Sequence, residues 1–148
     1  MSRSTLILTF FLVALSFYSY SSRAEQHTVG EFTVHYSLIN SSFLEPEVAT
    51  QYGIKRSKNI AMLNISVIKK SDSEMGTPVI SNVFGNGKSL SGQFKELAFR
   101  EIKEENAIYY IATFAIGNGE RLSFDLKVQP EKQGKLIPIK FKQQVYTN

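Results

Sequence analysis

From Arg121 to Gln129 the chain alternates apolar and polar residues almost without error. Leu122, Phe124, Leu126 and Val128 fall on one parity; Arg121, Ser123, Asp125, Lys127 and Gln129 fall on the other. Side chains on a strand switch face at every residue, so this pattern specifies a strand with one dry and one wet face. The preceding residues, Ile108 to Ile116, carry apolar groups on both parities, as a strand covered on both sides would. Gly117, Asn118 and Gly119 separate the two runs and tolerate the positive φ values of a tight turn. The stretch 107–129 therefore predicts a β-hairpin at the centre of a sheet, and with it an all-β chain.

The first residues have to be set apart before the rest is read. Arg3 precedes an almost wholly apolar run, Leu6 to Phe17, and Ser22 and Ala24 supply the small residues a signal peptidase recognises. About a dozen apolar residues are too few for a spanning helix, which needs roughly twenty. Residues 1–24 are thus expected to be a cleavable signal peptide, with retention as an anchor the alternative. Removing them leaves 124 of the 148 residues, 25–148, enough for one core. The chain has no cysteine, so the exported domain would hold no disulfide and could not be a lipoprotein.

The formal charge of +4 falls to +2 without Arg3 and Arg23, and the densest basic cluster is only Lys55, Arg56 and Lys58. Charges interleaved in this way speak against the concentrated basic stripe of a nucleic-acid binder.

Phe32, Val34 and Tyr36 alternate with polar residues and begin a first strand. Leu38 to Lys58 is the least regular part: Asn40–Ser41–Ser42 is turn chemistry, and Pro46 to Tyr52 predicts one short helix, with Gly53 at its stop. Asn59 to Lys69 and Thr77 to Phe84 read as strands, followed by a glycine-rich connection (Gly85, Gly87, Gly92) expected to cross between sheets. Phe94 to Ile102 reads as another strand, and Lys135 to Tyr146 as the last. In that last strand Pro138, Lys140 and Lys142 share a parity, the marks of a protected sheet edge. About seven strands with frequent turns specify an immunoglobulin-like antiparallel β-sandwich, with a small closed barrel as the competing architecture.

Catalytic chemistry is hard to assemble from these residues. His27 and His35 are the two candidate bases, and neither lies in a nucleophile motif. Gly87–Lys88–Ser89 resembles the end of a phosphate loop, but the required earlier glycine is Asn82. Glu101, Glu104 and Glu105 read as a solvated turn before they read as acid–base carboxylates. No metal-ligand spacing and no cofactor motif stands out. The candidate binding residues are Asn40, Phe43, Tyr52, Arg56 and Lys58, aromatic anchors beside cations; the bland alternative is that segment 38–58 plugs one open end of the sandwich.

The order Phe32…His35–Tyr36…Asn40…Phe43–Leu44…Pro46–Glu47–Val48–Ala49…Tyr52–Gly53–Ile54…Arg56–Ser57–Lys58 resembles the opening of an uncharacterised family of short exported Gram-negative bacterial proteins. Leu90–Ser91–Gly92–Gln93, then Phe99–Arg100–Glu101–Ile102 and Ala107–Ile108–Tyr109–Tyr110, continue the likeness along the whole mature chain. The family is catalogued as a domain of unknown function. The resemblance implies an exported β-rich domain in a bacterial periplasm and carries no activity, cofactor or catalytic residue. The expected function is that of a non-enzymatic periplasmic module binding another protein or an envelope component. A small-ligand carrier with a pocket under 38–58 is the second expectation, and a hydrolase using His35 or the glutamates the third.

Overall fold

The structure, a computed structural model, describes residues 24–148, so the leader assigned to 1–24 lies, but for Ala24, outside the described residues. The chain forms the expected immunoglobulin-like sandwich of two antiparallel sheets, built from ten strands rather than about seven. In chain order these are β1 (Glu25–Val29), β2 (Phe32–Asn40), β3 (Ile60–Lys69), β4 (Thr77–Pro78), β5 (Ser81–Ser89), β6 (Phe94–Glu96), β7 (Arg100–Lys103), β8 (Ile108–Ala115), β9 (Glu120–Pro130) and β10 (Ile137–Val145). One sheet runs β1-β2-β3-β8-β7, with β4 added to β3; the other runs β10-β9-β5-β6. A 3-10 turn at Ser41–Phe43 and one helix, α1 (Pro46–Gln51), lie in the connection from β2 to β3.

The period-two stripes set this arrangement. Val34 and Leu38 of β2, Ala61, Leu63, Ile65 and Val67 of β3, and Leu122, Phe124, Leu126 and Val128 of β9 all point inward and are at most 3% exposed. Each fully buried aliphatic side chain stabilises the fold by about 2 kcal/mol relative to its exposed state. Tyr36, Phe141 and Phe124 stack in sequence across the core, with ring centroids 4.8 and 4.7 Å apart.

The strands β8 and β9 do not form the expected hairpin. β8 pairs with β3 and β7, β9 with β10 and β5, so the two lie at the centre of opposite sheets. A two-residue type I′ hairpin needs positive φ at both central residues. Here Gly119 has φ 70° while Asn118 stays negative, and residues 116–119 arch from one layer to the other. The arch is held by polar contacts: Ile116 N–H donates to the Asn59 carbonyl at 2.9 Å, and Gly117 N–H donates to Glu120 Oε2 at 2.8 Å. Lys95, only 9% exposed on the inner side of β6, reaches Glu120 Oε1 and the Ala115 carbonyl, each at 2.9 Å. Burial raises the Glu120 carboxyl, but the Gly117 N–H and the Lys95 ammonium outweigh it and hold the group below its ordinary value.

The glycine-rich run also departs from expectation. β5 passes straight through Gly85 and Gly87, and the chain changes sheets instead at 79–80 and at 97–99, which also splits the expected strand 94–102 into β6 and β7. The glycines let β9 approach closely. A Cβ on Gly85 would sit 2.3 Å from the Asp125 carbonyl oxygen, and its φ of 147° excludes other residues; a Cβ on Gly87 would sit 2.9 Å from the Phe124 ring.

Gly85→Ala is expected to destabilise the protein by at least about 2 kcal/mol, read from the midpoint of urea unfolding. Lys95→Met strands a carboxylate and is expected to cost about 3 kcal/mol at pH 7. Because Glu120 sits below about 4.5, its contribution is complete above that pH and is lost as pH falls through the folded value. The wild type should therefore lose stability into acid more steeply than Lys95→Met, as measured by unfolding at pH 3 to 7.

Candidate functional site

The segment between β2 and β3 lies over the outer face of the six-stranded sheet rather than plugging an end of the sandwich. Ala49 and Ile54 join Met62 of β3 and Ile111 of β8 in a second apolar cluster, with Leu44, Tyr52, Ile102 and Tyr109 around it. Hydrogen bonds pin the segment down. Asn40 Nδ2 donates to the carbonyls of Lys58 at 2.6 Å and Tyr146 at 3.2 Å, while its Oδ1 accepts from Ser42 N–H at 3.0 Å and Ser42 Oγ at 2.7 Å. The fully buried Ser41 hydroxyl accepts Ser57 N–H at 3.0 Å and lies 2.9 Å from the Lys55 carbonyl. Arg56 donates to the Ser42 carbonyl at 3.0 Å, and Arg100 donates to that of Tyr52.

Of the five sequence candidates, then, Asn40 and Arg56 hold the cap together and Tyr52 packs into it. Lys58 is exposed, and Phe43 stands 75% exposed without joining either cluster. The structure brings Asn40, Arg56 and Lys58 into one neighbourhood, through backbone carbonyls, but places Tyr52 beneath the cap and Phe43 outside it.

The residues considered for hydrolysis are kept apart. His35 lies on the outer face of the six-stranded sheet, opposite Gln26 and Ser66, whereas Glu101 lies on β7 opposite Tyr110, on the inner parity. Glu101 Oε2 accepts the Tyr110 hydroxyl at 2.9 Å, and that hydroxyl accepts Ser81 N–H at 2.7 Å. Burial, with the Glu101 carboxylate beside it, pushes the Tyr110 phenol up to about 12 against the opposing Ser81 N–H. These groups line an open cleft of about 460 Å³ at one end of the sandwich, with Phe84, Phe99 and Lys132 around them. Among the described residues no group of three or more histidines and carboxylates is placed to hold a metal ion.

The feature the sequence did not reveal is the outer face of the four-stranded sheet. Registers place Leu90, Arg121 and Gln144 near one another, then Lys88, Ser123 and Lys142 in one row, Asn86, Asp125 and Lys140 in the next, and Phe84, Lys127 and Pro138 in a third. Phe94 and Glu96 of β6 extend this face beyond Lys88 and Asn86. Five cations (Lys88, Arg121, Lys127, Lys140, Lys142) stand against two carboxylates, Glu96 and Asp125. Asp125 is paired with Lys127 at 2.8 Å and Lys140 at 3.7 Å; its hydrogen bond with Lys127 is the main reason its carboxyl sits below its ordinary value. Lys88, Arg121 and Lys142 form no ion pair among the described residues. No described element covers this face, and Leu90, Phe94 and Phe84 on it are 76, 67 and 49% exposed.

Residues 26–148 match a family profile described as a domain of unknown function, DUF4426. The chain belongs to the DUF4426 family. A DUF4426 family protein from Pseudomonas aeruginosa, solved by crystallography, is 35% identical, with a TM-score of 0.74 over 86% of this chain and 98% of its own. The structure is also similar to FetP of uropathogenic Escherichia coli strain F11, recombinantly expressed in the periplasm: TM-score 0.60, 11% identity, over 83% of this chain and 93% of that one. A copper-bound variant of FetP gives a TM-score of 0.58 at the same identity, over 82% and 94%. At that identity the likeness to FetP is one of fold. Among proteins of curated function, none matches this DUF4426 chain.

In an ultraviolet absorbance titration, a tyrosine component with a midpoint at about 12 is expected to disappear in Tyr110→Phe, and to move to lower pH in Glu101→Gln. A component that persists unchanged in both would dissociate the hydrogen-bonded pair at the cleft.

Proposed function

We propose that this chain is an exported, non-enzymatic binding module of the periplasm that recognises another component of the cell envelope through the outer face of its four-stranded sheet. One observation carries the reading: the two outer faces are treated differently. The face of the six-stranded sheet is sealed by the chain's own segment, with its apolar residues packed beneath α1. The opposite face keeps Leu90 and Phe94 in water beside Lys88 and Arg121, which form no ion pair among the described residues, and Phe84 beside Lys127. An antiparallel sheet facing water is ordinarily polar on that side. Large exposed apolar residues clustered with one sign of charge are instead the composition of a contact surface. Export is supported by the apolar run Leu6 to Phe17 and the small residues Ser22 and Ala24 that follow it.

A small-ligand carrier is the second reading, favoured by the cleft where Glu101 and Lys132 offer opposite charges beside Phe84 and Phe99. That cleft lies away from segment 38–58, where the sequence had placed a pocket.

The test is fractionation of cells making the tagged protein. Wild type is expected to co-sediment with washed envelope, and Lys88→Glu/Lys140→Glu/Lys142→Glu to move to the soluble periplasmic fraction. Phe43→Ala/Arg56→Ala should behave as wild type. Loss of association in the Phe43/Arg56 variant, with retention in the lysine variant, would return the binding surface to the cap.

A further inference from the structure

Lys88 and Lys142 flank Ser123 in one cross-strand row, and Lys140 stands in the next, one register step away. Neighbouring strands lie about 5 Å apart, so three ammonium groups share a patch on the order of 10 Å wide. Beside them is an open depression of about 390 Å³ whose lining includes Lys88, Asp125, Lys140 and Lys142 together with Phe124 and Phe141. Asp125 neutralises part of Lys140 and Lys127, leaving Lys88, Lys142 and Arg121 with uncompensated charge. A net of three positive charges on this face exceeds the +2 of the whole chain beyond residue 24, so the fold has sorted its cations onto one surface.

The apolar residues on the same face say what kind of anion it meets. β5 ends at Ser89 and β6 begins at Phe94; Leu90 opens the turn between them, and both Leu90 and Phe94 lie beside Lys88 and Arg121. The Lys88 ammonium lies 5.3 Å from the centre of the Phe94 ring, so charge and aromatic surface are presented together. An acidic tract without apolar residues would meet the cations alone. A bilayer interface takes both: lipid phosphates meet the ammonium groups while leucine and phenylalanine enter the boundary between headgroups and acyl chains.

Resting on the binding-module reading above, we propose that the outer face of the four-stranded sheet docks on anionic phospholipid bilayers. Lys88, Arg121, Lys140 and Lys142 would contact headgroup phosphates, and Leu90 and Phe94 would enter the interface. Each cation near an anionic surface strengthens binding roughly five-fold, and the attraction weakens as salt shortens the screening length.

The experiment is co-sedimentation of the mature protein with large unilamellar vesicles of phosphatidylglycerol and phosphatidylcholine, against vesicles of phosphatidylcholine alone. Wild type is expected to bind the anionic vesicles at low salt and to be released at about 0.5 M salt. Lys88→Glu/Lys140→Glu/Lys142→Glu should weaken binding at least about 100-fold. Leu90→Ser/Phe94→Ser should weaken it while leaving the salt dependence unchanged. All of these positions are exposed, and circular dichroism with thermal melts confirms that the variants fold. Inorganic phosphate at millimolar concentration should not compete; if it displaced the protein at constant ionic strength, the site would be one for a free anion and the bilayer assignment would fall. Equal binding to neutral and anionic vesicles would overturn it too, as would wild-type binding by the lysine variant. If vesicles failed while poly-glutamate bound in a lysine-dependent way, the partner would be an acidic polypeptide: the binding-module reading would stand and the membrane inference would not. If the lysine variant also kept its place in the envelope fraction, both would fall.

Discussion

The architecture depends on the arch between β8 and β9. These two strands are central to opposite sheets, so the four residues joining them fix how the layers face each other. A flexible link there would leave the register of the sheets to side-chain packing alone. Instead Glu120 accepts the Gly117 N–H with one carboxylate oxygen and the Lys95 ammonium with the other, and Lys95 also caps the Ala115 carbonyl. One buried lysine from β6 thereby ties the end of β8 to the start of β9. Its position inside the sandwich is tolerable because the ammonium is paired and hydrogen-bonded, and removing either partner would strand the other.

With the layers fixed, the two outer faces become the remaining variable. On the six-stranded sheet, β3 and β8 carry apolar residues on both parities, and the chain itself supplies Leu44, Ala49, Tyr52 and Ile54 to cover them. Asn40 and Ser41 secure that cover through main-chain carbonyls, so its side chains are spent on holding shape. On the four-stranded sheet the outward parity of β9 and β10 is polar, yet the short β6 and the turn after β5 add Phe94 and Leu90 to it. The closed face and the open face follow from the same alternation rule applied to different strands.

Much of this was legible in the sequence. The stripes of β3, β9 and β10 are regular, and the edge marks Pro138, Lys140 and Lys142 lie on the exposed parity of an edge strand, as read. The helix was placed at Pro46–Tyr52 and found at Pro46–Gln51. Three things were not legible. β1 (EQHTV) is exposed throughout and has no apolar stripe; only its tight two-residue turn onto β2 makes it a strand. The change of sheet at 79–80 and 97–99 leaves no mark in alternation, because a strand that crosses layers keeps its period. Glycines that signal a loop in isolation were, at Gly85 and Gly87, there for the close approach of β9. The candidate site was hidden for a related reason. Lysines interleaved with apolar residues look evenly spread along the chain, yet a period of two gathers Lys88, Lys127, Lys140 and Lys142 on one side.

The bonds that join β2 to the last strand have a temporal consequence. Asn40 reaches the Tyr146 carbonyl and Gln143 reaches that of Leu38, contacts separated by 106 and 105 residues. The side of the sandwich where β2 meets β10 therefore shuts only once nearly the entire polypeptide is present. Long-range closure of this kind makes folding slow and leaves the partly synthesised chain open. A chain cut short before Gln143 would lose both bonds at once, and with them the seam along that side.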